Sequence, residues 1–410
     1  MSATAARRIE IGVSSALRPA RRLSGLERAW LTADSLEPPF AFALVFEGRG
    51  DLSEARWRDA LDRASAANPG CRVRLAGVLG WTRWEITART PTLRAVESDW
   101  DGRSPAGAAF LERPFDARGG EVVEVVLLPG DEARPDRVAV RVLHAAMDGR
   151  GVLAFAEDLL AAVNGREPIG SAAGPQTDAG LARDAGGQPA EAPPRTWASP
   201  TGPASATRGG TTWARVSLDG SFKRLLPRAV AALWAASRAH TDGPLRLEIP
   251  VDLRRHAPGL RSTANLSGIF PLTLEAPPDL QSLDAAIRQA VEGLDYCGAP
   301  LRAGIARWLP LSLLARGGRD GAAEGLETDL FEVSATLSNM GRLALETLGG
   351  PVFAPERAYI IPPGNQGLPL LMVLTGHERG LEICAAGPLA LCGEGRLEAL
   401  LTAMAEALRG

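Results

Sequence analysis

Apolar and polar residues alternate with two different periods in the first part of the chain, and these periods predict strands and helices. The run FAFALVFEG at residues 40–48 is typical of a buried strand. Residues 53–69 carry apolar side chains at the i, i+3, i+4 and i+7 positions counted from Trp57, which predicts a helix that ends at Pro69. This succession of strand and helix is typical of an α/β protein.

The same alternation continues to residue 163 and begins again after residue 210. In the first part we predict strands at 71–77, 81–87, 121–128 and 137–143, and a helix at 150–163. In the second part we predict strands at 211–218, 245–253, 265–274, 331–338, 368–376 and 381–387, and helices at 222–240 and 396–409. Two α/β parts of similar layout suggest a diverged internal duplication, and binding sites often lie between such parts.

The segment between the two parts has a different composition. Residues 165–210 consist mainly of Gly, Ala, Pro, Ser and Thr, and their large apolar side chains are Ile169, Leu181 and Trp197. Such a segment buries too little surface to offset its ordering entropy, so we expect a linker pinned at most at Trp197. The predicted division is an N-terminal half at 1–164, a linker at 165–210 and a C-terminal half at 211–410.

Composition and charge exclude several classes of protein. The 410 residues are 45% hydrophobic and 23% charged, as in an ordinary globular protein, and the net charge is −3 at pH 7. This charge gives no reason to expect a nucleic acid as partner. No stretch reaches the roughly 18 consecutive apolar residues that a membrane span requires.

The choice of basic residues and the cysteines indicate the kind of genome that encodes the protein and the compartment in which it works. Lys223 is the only lysine, and the excess of Arg, Ala, Gly and Pro suggests a GC-rich bacterial genome. The four cysteines are scattered without a CxxC pair, so we predict neither a disulfide framework nor a metal site, and we expect a cytoplasmic protein. The Arg-rich start of the chain faintly resembles a transit peptide, but a first strand at residues 8–13 after a short tail is the preferred interpretation.

Residues 143–149, LHAAMDG, contain the histidine whose setting best suits chemistry. His144 comes directly after a predicted strand, and Asp148 and Gly149 come directly before a predicted helix. A neutral imidazole with an ordinary pKa of about 6.5 suits a general base near neutral pH. Asp148 can anchor the loop, and Gly149 permits close approach where a side chain would obstruct. The structural alternative is that Asp148 simply caps the following helix.

The LHAAMDG stretch resembles the HHxxxDG signature of the condensation-domain superfamily, which includes wax ester synthases and polyketide-associated acyltransferases. The related plant alcohol acyltransferases and chloramphenicol acetyltransferase keep HxxxD. Further segments across nearly the whole chain are similar to the family in order and spacing: RRLSGLERAWLTAD, DLSEARWRDALDRASAANPGCRVRL, RPFDARGGEVVEVVLL, IPVDLRRHAPGLRSTANLSGIFPL and TLSNMGRL. The resemblance implies an α/β fold in which two chloramphenicol-acetyltransferase-like halves form a V-shaped pseudo-dimer around a central channel.

The resemblance also implies roles for particular residues. Leu143 stands where the family has its first histidine, but the second is the family's base, so His144 keeps that role, and Asp148 and Gly149 complete the motif. The family's RHxxLR motif survives here only as Arg72, which the resemblance pairs with Asp148. The remaining residues that it places along the substrate channel are Met147, Arg254, Asn265, Ser338 and Asn339.

Each of these assignments has a structural alternative. Arg72 could lie on a solvated sheet edge, Arg254 could be an exposed charge at a strand end, and residues 338–341 could be only a turn. The other histidines have settings that suggest no chemistry. His256 and His377 lie in loop-like surroundings and are expected to be solvated, and His240 ends a helix, where a cation suits the dipole.

The function implied by the resemblance is acyl transfer from a thioester to a hydroxyl or amine, in natural-product or lipid biosynthesis. The donor would be an acyl-CoA or a phosphopantetheine-linked acyl group on an acyl or peptidyl carrier protein, and the acceptor a small alcohol or amine. No tightly bound cofactor and no metal are implied. The alternative is a catalytically silent docking module for a carrier protein or partner enzyme, which the presence of both His144 and Asp148 disfavours.

Overall fold

The computed structural model describes residues 19–409, so the strand predicted at 8–13 lies outside the described residues. The fold is mixed α/β with several sheets. The strands are β1 (Pro19–Arg22), β2 (Ala41–Gly50), β3 (Val73–Ala76), β4 (Arg83–Ile86), β5 (Thr92–Ala95), β6 (Val123–Leu128), β7 (Asp136–Leu143), β8 (Thr211–Asp219), β9 (Leu245–Asp252), β10 (Ser267–Leu274), β11 (Ala335–Arg342), β12 (Phe353–Ile361), β13 (Leu371–Gly376) and β14 (Gly380–Pro388). The α-helices are α1 (Gly25–Leu36), α2 (Glu54–Ala67), α3 (Gly149–Val163), α4 (Asp178–Asp184), α5 (Leu225–Ser237), α6 (Leu280–Glu292), α7 (Leu311–Thr328), α8 (Leu345–Leu348), α9 (Leu389–Cys392) and α10 (Arg396–Arg409). None of these helices is both long enough and apolar enough to cross a bilayer.

Three sheets organise the described chain. The first has the strand order β12-β2-β7-β6-β5, and all its pairs are antiparallel except β5 with β6. The second has the order β10-β9-β11-β13-β14-β8, in which β11 runs parallel to both of its neighbours. A small antiparallel sheet has the order β1-β4-β3.

Helices cover one face of each large sheet, as the apolar periodicity predicts. On the first sheet, α2 and α3 pack against each other and bury Trp57 and Phe155. On the second sheet, α5 packs against α10, which buries the apolar stripe that begins at Leu397 and includes Leu401 and Met404. The helices predicted at 53–69, 150–163 and 396–409 are therefore confirmed to within a few residues, and the helix predicted at 222–240 begins later, at Leu225.

Strand β12 corrects the sequence-based separation of the two parts. Its residues come from the C-terminal part of the chain, yet it pairs antiparallel with β2 as the outer strand of the first sheet. Pro355 lies in this strand, and an edge position tolerates proline because one side of the strand makes no ladder hydrogen bonds. The first sheet is therefore completed by a strand from beyond residue 210.

Segment 165–210 is packed more closely than its composition predicts, so the expectation of an unpacked linker is wrong. It contains helix α4, in which Leu181 and Ala182 are buried, and Trp197 forms a β-bridge with Phe331. Ile169, in contrast, is 80% exposed. Small side chains bury little area each, but they pack closely against the body of the protein and so hold the segment in place.

Candidate active site

His144 follows β7 directly, and aromatic rings hold its side chain. Its backbone N–H donates to the Phe40 carbonyl at 3.1 Å, which continues the pairing of β7 with β2. The imidazole stacks on Trp30 with ring centroids 4.9 Å apart and on Phe40 at 5.6 Å, and Phe42 meets it edge-on at 5.1 Å. The orientation of the ring is therefore fixed by packing on several sides.

The surroundings of His144 favour the neutral imidazole. Burial lowers its pKa below the ordinary value of 6.5, and the backbone of residues 144 and 147 and the charge of Asp148 offset this only in part. Nδ1 is buried. Because Nδ1 is enclosed, Nε2 is the nitrogen that can exchange a proton with a reactant.

Asp148 is held by several donors and is the N-cap of α3. Its Oδ1 accepts from the Gly151 N–H at 2.7 Å, and its Oδ2 accepts from the Leu266 N–H at 2.8 Å and from the Ser267 hydroxyl at 3.2 Å. Burial alone would raise its pKa, but Arg254 and the backbone donors outweigh burial and lower it. The carboxylate therefore stays ionised and fixes the loop that carries His144.

The partner of Asp148 is Arg254, so the predicted pairing with Arg72 is wrong. Arg254 donates from Nη1 to Oδ2 at 3.1 Å and from Nη2 to Oδ1 at 3.0 Å, a bidentate geometry. It also donates to the carbonyls of Ser262 and Ala264. Arg72 precedes β3, its carbonyl accepts from the Thr87 N–H, and it therefore stays with the small sheet.

A cavity of about 180 Å³ lies beside His144. Its wall combines residues that precede segment 165–210 in the sequence with residues that follow it. Gly149 of the predicted motif lines the cavity, and so do Asn265, Ser338 and Asn339. Two other predicted lining residues are placed elsewhere. Met147 is fully buried in the core of the first sheet, and Arg254 lies behind Asp148.

Asn265 connects the two sides of the cavity. Its Nδ2 donates to the His144 carbonyl at 2.6 Å. This side chain, which comes just before β10, therefore holds the backbone that carries the histidine. Gly151 allows the same two segments to meet, because a Cβ there would lie 2.3 Å from the Thr263 carbonyl oxygen. Asn339 lines the cavity, and its Oδ1 also accepts from the Gly341 N–H within β11, where the pairing with β13 shifts register, so the alternative that residues 338–341 are only a turn is wrong.

Sequence reasoning missed the aromatic cage and misplaced one histidine. Trp30 on α1 and Phe40 before β2 carried no chemical motif, and only their nearness to His144 in space shows their role. His377 is buried and contacts Glu382, so the prediction that it is solvated is wrong. His256 is half-buried, and its Nε2 lies 2.6 Å from the Tyr296 hydroxyl. His240 is exposed, directly after the last turn of α5.

Comparison with solved structures supplies the class of fold. No protein-family model matches the sequence, and a search of curated proteins found no relative. The condensation domain of the monacolin K polyketide synthase MokA has a TM-score of 0.60 and 14% identity, with 95% of this chain and 96% of that chain covered. The predicted resemblance to the condensation-domain superfamily is confirmed in the fold.

Two further neighbours were solved with ligands. The starter condensation domain of rhizomide synthetase RzmA, in complex with C8-CoA and Leu-SNAC, has a TM-score of 0.64 and 17% identity, with 95% and 94% of the two chains covered. The first condensation domain of the calcium-dependent antibiotic synthetase, in complex with a substrate analogue, has a TM-score of 0.61 and 17% identity, with 95% of each chain covered. At these identities the likeness concerns the fold.

Proposed function

We propose that the protein is an acyltransferase of the condensation type, which moves an acyl group from a thioester to a hydroxyl or amine. The observation that carries the proposal is His144, a neutral imidazole with one buried nitrogen, held by aromatic rings at the wall of a cavity. The ligands of the neighbouring condensation domains, an acyl-CoA and an aminoacyl thioester analogue, support this class of substrate.

In this proposal His144 acts as the general base. Nε2 takes the proton of the acceptor hydroxyl or amine while the acceptor oxygen or nitrogen attacks the thioester carbonyl. The new C–O or C–N bond forms, the C–S bond breaks, and the imidazolium returns its proton to the departing thiolate. The acyl donor is either CoA or a carrier-protein phosphopantetheine arm, since both present the same thioester.

Asp148 and Arg254 act as positioning residues. Both carboxylate oxygens of Asp148 accept hydrogen bonds, and the donors are Arg254, Gly151, Leu266 and Ser267. The carboxylate therefore stabilises the loop and does not take a proton during the reaction. Gly149 and Asn265 shape the wall next to the histidine.

The reaction site in this proposal is shared between the N-terminal and C-terminal halves. The cavity would be the middle of a central channel between two chloramphenicol-acetyltransferase-like halves arranged as a V-shaped pseudo-dimer. A second cavity of about 540 Å³ shares Leu26, Trp30 and Leu368 with the first and would form one arm of that channel. Donor and acceptor would then reach His144 from different sides.

The test is product formation with a defined panel of substrates. Purified protein is mixed with short, medium and long acyl-CoA donors, or the same acyl groups on a carrier protein, and with an alkyl alcohol or a primary amine. We expect at least one pair to give an ester or amide by intact mass, together with stoichiometric release of free thiol. Folded protein that gives no product above the enzyme-free rate with any pair would contradict the proposal.

A further inference from the structure

Exposed apolar side chains are concentrated at one place on the described surface. Of seven large apolar side chains that are exposed on the described surface, three lie on the turn between β3 and β4, and a fourth, Trp308, contacts that turn. These four form the tip patch: Val78 (65% exposed), Leu79 (41%), Trp81 (56%) and Trp308 (41%). Single exposed apolar residues are ordinary, but a cluster of this kind marks an interaction surface.

The two segments of the tip patch are held together in a defined arrangement. The rings of Trp81 and Trp308 meet edge-to-face, with centroids 5.9 Å apart. Gly80 lets the Trp308 indole lie against the turn, because a Cβ at Gly80 would be 2.4 Å from that ring. The apolar residues are therefore presented as one pre-arranged surface.

A buried arginine fixes this arrangement. Arg28 donates to the Leu79 carbonyl at 2.8 Å, to the Thr82 hydroxyl at 3.2 Å and to the Leu309 carbonyl at 2.5 Å. Leu79 has a left-handed φ of 51°, which costs free energy for a side chain of this size. Arg28 and the strained Leu79 thus hold apolar side chains in contact with water, which costs free energy. This cost is explained if the tip patch binds a partner.

The charges around the tip patch are mainly positive. Arg22 and Arg83 face each other across β1 and β4, an arrangement of like charges that is unfavourable in water alone. Arg22 lies over the Trp81 ring at 5.1 Å, and Arg83 shares the carboxylate of Glu85 with Arg74. The small sheet that carries the patch thus has three exposed or half-exposed arginines, Arg22, Arg74 and Arg83, against the one carboxylate of Glu85.

We propose that the tip patch binds the surface of a membrane containing anionic lipids. Tryptophan, leucine and valine at the tip of a turn suit the boundary between headgroups and acyl chains, and the arginines complement lipid phosphates. The second cavity favours a lipid membrane, rather than an acidic protein, as the partner of the tip patch. It lies between α1 and α7, and its wall includes Leu36 and Leu314. Arg28 lines this cavity and also donates to the Leu79 carbonyl, so the cavity begins next to the segment that carries the tip patch.

Vesicle co-sedimentation of the full chain tests this proposal independently of the acyl-transfer activity. The vesicles contain phosphatidylcholine alone or phosphatidylcholine with about one third phosphatidylglycerol. We expect the wild type to sediment with the mixed vesicles and Val78→Ser/Trp81→Ser to lose about tenfold in apparent affinity. Arg22→Gln should weaken binding at low salt and matter less at high salt, because ions screen its attraction to lipid.

The matched control is Ile169→Ser, which removes an 80% exposed apolar side chain far along the chain from the patch. It should bind vesicles like the wild type, and all variants should keep the wild-type melting temperature. Absence of wild-type binding to mixed vesicles would overturn the proposal, as would equal binding by Val78→Ser/Trp81→Ser. A wild-type dimer that this double variant dissociates, without vesicle binding, would assign the patch to self-association and also overturn it.

Discussion

Several clusters of buried charge connect the parts of the chain before and after segment 165–210, and two of them differ in what lies beside them. In the first, Asp148 pairs with Arg254 behind the loop of His144. In the second, Arg215 pairs with Glu47 of the first sheet at 2.9 Å and with Glu382 of the second sheet at 2.7 Å. Both clusters hold the same two parts together through guanidinium–carboxylate contacts.

The second cluster is closed, whereas the first borders a cavity. Burial would raise the pKa of Glu382, but His377 and Arg215 outweigh burial and lower it to about 2. No residue of the Glu47–Arg215–Glu382 group lines the cavity beside His144. A buried, shifted carboxylate thus does not by itself mark a reactive site. The candidate site is distinguished by an imidazole whose burial favours the neutral form and which lines open space.

The largest expected effect on stability comes from Arg254→Met. This change leaves the Asp148 carboxylate, which is 4% exposed, without its counter-charge, and breaking a buried pair costs about 3–5 kcal/mol. Turnover should fall as well, because the loop of His144 loses its anchor. Denaturant unfolding measures the first effect, and product formation per folded molecule measures the second.

The double variant Asp148→Asn/Arg254→Met should recover part of that lost stability, because no buried charge then remains unpaired. Arg255→Met is the control, since it removes an exposed arginine next in sequence. Strictly additive losses in the double variant would show that Asp148 and Arg254 do not interact.

Glu382→Gln should cost less, about 1–3 kcal/mol, because the amide keeps the shape but loses charge-assisted bonds to Arg215 and Arg357. Turnover per folded molecule should stay at the wild-type level, since this cluster is remote from the cavity lining. If Glu382→Gln abolished turnover while the protein stayed folded, the distinction between the two clusters would be wrong.

The smallest effect is the pH dependence, and its direction follows from His144. Because burial lowers its pKa, the folded protein keeps the neutral base down to a pH below 6.5. The unfolded chain takes up this proton first on acidification, so the stability contributed by the neutral ring is present above pH 6.5 and is lost as the pH falls. We expect the acid limb of kcat/KM to have its midpoint below 6.5. A midpoint clearly above 6.5 would contradict the assigned environment.

Much of the fold could be predicted because local apolar periods determine it, but long-range pairings could not. The run at 137–143 correctly places His144 at a strand end. Strand β12 was missed because glycines and prolines surround it and Pro355 interrupts its pattern, features that only an edge position explains. Helix α7 was missed because four of its residues are glycines.

The partner of Asp148 shows the same limit within the site. Arg72 and Arg254 are both arginines near strand ends, and sequence alone does not tell which one the folded chain brings to the carboxylate. The pairing of β9 with β10 and the turn that follows β9 place Arg254 there, 106 positions along the chain from Asp148. The aromatic cage from Trp30 and Phe40 likewise arises from tertiary packing.

The most direct test of the account is the turnover of His144→Ala with the substrate pair that the wild type uses, compared with His240→Ala, which removes an exposed histidine. We expect a loss of about 10²–10⁴-fold in kcat for His144→Ala, with an unchanged circular dichroism spectrum, and wild-type turnover for His240→Ala. Near-wild-type turnover in folded His144→Ala would contradict the assignment of His144 as the general base.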